Sequence, residues 1–169
     1  LSANTTGEVN TAIGVASLDA NTTGANNVAV GGGSLGANTT ADNNTAVGKD
    51  ALLANTTGTG GTAVGALSLD AVRTGDYNTG VGFTSGSKVT TGTRNVALGL
   101  NALTANTTGV ENTSLGVYSL EANSTGNDNT AIGYRTLLAN TTASNNTAVG
   151  SDALKANTTG ASNIAVGAF

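Results

Sequence analysis

Hydrophobic and polar positions alternate in a fixed cycle of 17 residues along the whole chain. Numbering each unit from the Ala of A-N-T-T-G gives the consensus A-N-T-T-G-x-x-N-T-A-V-G-x-x-S-L-x, with units starting at 3, 20, 37, 54, 71, 88, 105, 122, 139 and 156. No insertion or deletion interrupts the register, although the starts at Ala71 and Lys88 are degraded. Slot 11 is aliphatic in every unit, from Ile13 to Val166, and slot 16 is Leu except at Gly86. Slot 4 is always Thr and slot 12 always Gly. The run at slots 8 to 12, N-T-A-V-G, sets a β-branched or aliphatic residue on either side of a small one. That pattern predicts a short strand closed by glycine. The arm S-L-x-A-N-T-T-G alternates more loosely and predicts a second short strand.

A helical hairpin of the same period is excluded, because Gly, Asn and Thr would penalise a helix several times per unit. Two short strands and two Gly/Asn turns instead make one coil of an all-β parallel β-solenoid. Ten coils stacked at about 4.8 Å give a rod roughly 48 Å long. The expected core is thin: slots 11 and 16 inward with help from slot 9, and Asn at slots 2 and 8 in ladders that bond one coil to the next. The slot-2 ladder comprises Asn4, Asn21, Asn38, Asn55, Asn106, Asn123, Asn140 and Asn157. Gly at slot 12 is expected to supply a positive φ at a corner.

Slot 10 then points away from the core, yet it is Ala, Gly or Ser in every copy. A solvent-facing slot drifts to longer polar residues. The small residues therefore predict close packing of another chain, in a symmetric homo-oligomer, most simply a trimer, with slot 10 at the interface. The alternative is that small residues fit a tight bend.

Composition narrows the chemistry. Thr, Ala, Gly and Asn supply 104 of 169 residues, and there is no His, Cys, Met, Pro or Trp. No thiolate, disulfide or imidazole chemistry is available, so the commonest general base and metal ligand are missing. A net charge of −4 with six basic residues argues against a nucleic-acid partner. No apolar run approaches the ~20 residues of a membrane span. Fourteen of the sixteen charged residues lie in variable slots 6, 7, 13, 14 and 17, the exceptions being Arg73 and Lys88. All five aromatics lie there too, Phe169 among them. Without an initiating Met, and with both ends falling inside a repeat, the chain reads as one repeat domain, 1–169, from a longer fibre.

The N-T-A-V-G runs, with N-N-V-A-V-G at 26–31 and S-N-I-A-V-G at 162–167, resemble the S-V-A-I-G repeats of trimeric autotransporter adhesin heads of the YadA type. The longer A-L-x-A-N-T-T-G-x-x-N-T-A-V-G pattern is similar to repeats in phage and bacterial tail-fibre-domain proteins. The resemblance covers the whole chain. It implies a left-handed parallel β-roll, three chains around an axis, and a place on a bacterial or viral surface. Head repeats of that type are a few residues shorter, the extra length here lying in L-x-A-N-T-T-G.

Several sequence features invite chemistry. The eight slot-2 Asn lie in N-x-T sequons. Stacking places neighbours about 5 Å apart, too close for a glycan on each. Glu8, Asp42 and Asp76 share slot 6 in alternate coils, roughly 9.6 Å apart, too far for a calcium cage. A carboxylate pair at that distance matches inverting glycoside hydrolysis, but nothing else sharpens it, and no catalytic residue, cofactor or metal is assigned. Thr files at slots 3 and 4 suggest ice binding, although each is single where two ranks are needed. Units five and six break the pattern: Val72 and Val89 replace Asn, Arg73 replaces Thr and Gly86 replaces Leu. Over them Arg73, Tyr77, Phe83 and Arg94 form a candidate binding patch. The sequence thus points to a non-enzymatic structural and adhesive fibre segment, extracellular or on a virion, with an ice- or mineral-binding solenoid as the alternative.

Overall fold

The computed structural model describes residues 1–168, and Phe169 lies outside the described residues. Each coil contributes one three-residue strand at slots 9 to 11. In chain order these are β1 (Thr11–Ile13), β2 (Val28–Val30), β3 (Thr45–Val47), β4 (Thr62–Val64), β5 (Thr79–Val81), β6 (Val96–Leu98), β7 (Thr113–Leu115), β8 (Thr130–Ile132), β9 (Thr147–Val149) and β10 (Ile164–Val166). They form one parallel sheet in sequence order, each residue paired with its counterpart 17 positions on, as in Ala46 beside Ala63. The chain is a β-solenoid, and no described residue is helical.

The second arm is not a strand. It is a chain of turns held by bonds to the next coil: Leu18 N–H donates to Ser34 O at 3.1 Å, Ala20 to Gly36 at 3.2 Å and Thr22 to Thr39 at 2.9 Å. Its backbone enters the left-handed region at slots 14 and 16, with φ of 48° to 55° at the eight slot-16 leucines from Leu18 to Leu154. That conformation costs roughly 1–2 kcal/mol per residue. Burial of a leucine side chain, worth about 1.5–3 kcal/mol, offsets it. Seven of the eight leucines are almost wholly buried.

Glycine at slot 12 is required twice over. Its φ lies between 125° and 144°, where L side chains are rarely found. A Cβ on Gly65 would also stand 2.5 Å from the carbonyl oxygen of Gly82 in the next coil.

The strand faces are the reverse of the sequence expectation. Slot 10 points inward: Ala29, Ala46, Ala63, Ala131 and Ala148 are 0% exposed, packed against the slot-16 leucines in one chain's own core. Slot 11 points outward, with Ile13, Val47, Val64, Val81, Leu115 and Val166 all exposed. The coil is narrow, so the wall facing a leucine has room only for a methyl, a hydroxymethyl or hydrogen. Slot 10 therefore cannot be the interface between chains: the tight fit that keeps it small lies inside the coil.

The core runs as two apolar clusters, one from Leu18 to Val89 and one from Ala97 to Ala153, with Gly86 where a leucine rung is missing. Val72 and Val89 are buried beside that gap. A Cβ on Gly86 would sit 2.7 Å from Leu69 Cδ2 and 3.6 Å from Val89 Cγ2, so neighbouring side chains have closed over the lost leucine.

Candidate functional site

The asparagines tie the coils together. At slot 2 each amide donates to the Asn Oδ1 of the coil before, as Asn21 to Asn4 at 2.9 Å, Asn38 to Asn21 at 2.8 Å and Asn123 to Asn106 at 3.1 Å. It also donates to the slot-5 carbonyl of its own coil, as Asn38 to Ala41 at 3.1 Å. At slot 8 the Oδ1 accepts the backbone N–H of the next slot-8 residue, and the amide reaches the slot-5 carbonyl of the next coil. Asn27 thus accepts from Asn44 N–H at 2.9 Å and donates to Ala41 O at 2.8 Å. Each slot-5 carbonyl therefore takes two amide donors in a regular coil. Both Asn columns are buried in the interior coils, which keeps the sequon side chains from any modifying enzyme in the folded rod.

Val72 and Val89 interrupt the slot-2 ladder. Asn55 Oδ1, whose donor would come from position 72, is buried without a hydrogen-bond partner. The ladder resumes at Asn106, which donates to Gly109 O at 3.0 Å.

Two of the three slot-6 carboxylates, Asp42 and Asp76, are structural acceptors. Asp42 takes the N–H of Ala25 at 2.7 Å, and Asp76 takes that of Thr59 at 2.8 Å. Asn127 does the same for Val110. No group of three metal-ligating side chains occurs among the described residues. The slot-3 hydroxyls are also engaged, donating to the slot-3 carbonyl of the next coil, as Thr22 to Thr39 at 3.0 Å. The slot-4 threonines are exposed in all ten coils.

Arg73, Tyr77, Phe83 and Arg94 are all exposed, but they divide among three columns. Tyr77 and Arg94 are neighbours in slot 7. Arg94 is already paired with Glu111 at 2.7 Å, and the Tyr77 ring lies over Gly60. Phe83 lies in slot 13, on the other side of β5, and Arg73 lies in slot 3. A tighter aromatic group sits elsewhere: Tyr118 meets Tyr134 edge to face at 6.3 Å, and Arg135 lies 4.7 Å from the centre of the Tyr134 ring. Arg135 also grips Asp152 through two bonds of 2.9 and 3.0 Å, which hold the Asp152 carboxyl below the ordinary carboxylate value. Nothing in the 17-residue pattern marks this group, because slots 13 and 14 vary freely. A concavity lined by Asp152, Leu154, Lys155 and Ala156 opens on the last leucine rung.

The outer sheet face is the most continuous feature. Slot 9 (Thr, Val or Ile) and slot 11 (Val, Ile or Leu) alternate with the inward slot 10, so both ranks point out through ten rungs. Neither rank contains a charged residue. The strip is about 48 Å long on the strand spacing. Two ranks of side chains make it on the order of 500 Å², comparable with the largest apolar patch of a typical monomer, which is often functional. The sequence reading missed it because it had turned the strand over. Compared with known proteins, the chain matches no family model, no curated protein and no solved structure.

Proposed function

We propose that the chain is a structural and adhesive repeat segment of an extracellular fibre, of a bacterial surface or a phage tail, assembled from identical copies through the slot-9 and slot-11 face. The carrying observation is the charge-free aliphatic file on the outer face of a ten-stranded parallel sheet, exposed in six coils and half-buried in the other four. Charge is tolerated in the neighbouring turns, at Lys49, Arg94 and Glu111, and excluded from this face. Identical chains offer each other the same ranks at the same spacing, so packing in register covers the whole strip. Three chains around an axis follow the adhesin-head resemblance. The reading includes no catalytic step and no cofactor.

Sedimentation and native mass measurement test it. An oligomer is expected at micromolar concentration. Val64→Arg together with Leu115→Arg is expected to give a folded monomer, because both positions accept a long side chain in the single coil. A wild-type chain that stays monomeric removes the proposal.

One observation favours an ice- or mineral-binding solenoid as a second reading. The outward face carries two ranks, with Thr in seven of the ten slot-9 positions, whereas slots 3 and 4 offered one file each. Inhibition of ice recrystallisation by a monomeric wild-type chain, lost in the Val64→Arg, Leu115→Arg variant, would favour it over the fibre.

A further inference from the structure

The fifth coil, residues 71–87, has lost most of the side chains that fill and tie the others. Its slot-16 residue is Gly86 instead of leucine, its slot-10 residue is Gly80 instead of Ala or Ser, and its slot-2 residue is Val72, with Val89 in the coil after. The hydrogen bonds record the loss. Asn55 Oδ1, in the coil before, is buried without a partner. A regular slot-5 carbonyl accepts from two carboxamides, as Ala41 O does from Asn38 at 3.1 Å and from Asn27 at 2.8 Å. Among the described residues no donor reaches Gly75 O, because Val72 replaces one carboxamide and Gly61 the other. The Asn78 N–H is likewise unpaired among the described residues, whereas its counterpart Asn44 N–H donates to Asn27 at 2.9 Å. Apolar contact thins at the same place. No leucine enters the interior between Leu69 and Leu103. The first apolar cluster reaches past the fifth coil only as Val89, and the second begins at Ala97.

What holds this coil is mainly backbone. β5 pairs with β4 and β6 in unbroken register. Leu69 N–H donates to Ser85 O and Gly86 N–H to Ala102 O, both at 2.9 Å, the same bond that Leu52 makes at 3.1 Å and Leu120 at 3.0 Å. The coil is therefore closed in the folded rod, on bonds that water replaces when it opens. In a stack where each repeat touches only its neighbours, stability is a sum of local contributions, so a deficit stays where it arises. A buried group without a partner favours the open coil, where water supplies one. A missing leucine acts in the same direction, because opening then exposes less apolar surface. Val72 and Val89 add apolar contact at slot 2 but supply none of the missing hydrogen bonds. On either side, the stacks from Leu18 to Leu69 and from Ala97 to Ala153 keep their apolar rungs and Asn ladders. We propose that the fifth coil is a yield point, which opens reversibly before any other interior coil and leaves two folded stacks. The opening belongs to one chain and does not depend on how copies assemble. Where the rod serves as a fibre segment, as proposed above, such a coil takes up axial extension while both stacks stay folded.

Native-state hydrogen exchange of the wild-type chain tests it. The amides of Leu52, Leu69, Gly86 and Leu120 make the same bond to the next coil, so differences in protection, corrected for residue type, report opening rather than bond geometry. Leu69 and Gly86 are expected to be protected about tenfold less than Leu52 and Leu120. Fraying from either end reaches the fifth coil last and cannot produce that minimum. Repair gives a second readout. Val72→Asn and Val89→Asn complete the slot-2 ladder from Asn55 to Asn106, and Gly86→Leu restores the rung, so the minimum is expected to vanish in a chain carrying all three. Equal protection at the four amides, a minimum at another interior coil, or a folded repaired chain that keeps the minimum overturns the proposal. If the repaired chain does not fold, the wild-type profile decides alone. A monomeric wild-type chain that shows the minimum keeps the yield point and loses only the fibre.

Discussion

Exchanging one residue for aspartate at two adjacent positions separates the two faces of the strand. Ala63 is 0% exposed and belongs to the cluster that contains Leu52 and Leu69. The same slot in the next coil shows how little room exists: a Cβ on Gly80 would sit 2.5 Å from Ser68 Oγ and 2.8 Å from Leu69 Cγ. A carboxylate at Ala63 enters this wall with no cation or free donor beside it, at an effective penalty of several kcal/mol. Val64 is 38% exposed. Its burial within one chain is therefore partial, and losing it costs about 1 kcal/mol when full burial of valine is worth about 1.5. Against a total stability of about 5–15 kcal/mol, the first change approaches global unfolding and the second does not. Urea denaturation followed by far-UV circular dichroism measures both, in a dilution series that separates folding from assembly. Ala63→Asp is expected to shift the midpoint far more than Val64→Asp once the chain is dilute. If Val64→Asp is as damaging as Ala63→Asp in the monomer, slot 11 faces the core and the outer strip does not exist.

Other substitutions probe the remaining parts of the coil. Gly65→Ala is expected to destabilise by about 3 kcal/mol or more, through the disallowed φ and the close approach to Gly82 O, whereas Leu67→Gly at φ 57° relieves strain of about 1 kcal/mol; thermal melts of both show the asymmetry. Asn38→Ala takes the donor from Asn21 Oδ1 and one acceptor from the Asn55 amide, so a loss of roughly 2–3 kcal/mol is expected in chemical denaturation. Burial, reinforced by Asp50, raises the Asp70 carboxyl above its ordinary value, so in the pH interval between the unfolded and folded values the folded chain holds a proton that the unfolded chain has lost. Stability from this group therefore falls as pH rises from the unfolded value through the folded one. Asp70→Asn is expected to raise the denaturation midpoint at neutral pH and leave it unchanged in acid below the carboxylate range; a gain in acid alone contradicts the assignment.

The period, the parallel in-register stack and the Asn ladders were legible in the residues. Each depends on identical groups meeting at a fixed interval, and a column of Asn or Gly has few other uses. Glycine at slot 12 is of the same kind, since a backbone angle closed to other residues leaves its mark in every copy. The exclusion of helix followed from composition alone. Which side of the strand faces inward was decided only by the folded coil. Alternation along T-A-V separates two sets of side chains but does not say which set is enclosed, and both a buried methyl and a crowded surface look small in sequence. The answer came from the width of the coil: leucines reaching in from the turn arm at φ near 50° fill the interior and leave the opposite wall room for alanine. The turn arm was misread as a strand for the same reason, because leucine in the left-handed region is unfavourable locally and is stabilised only by the burial that the stacked coils provide.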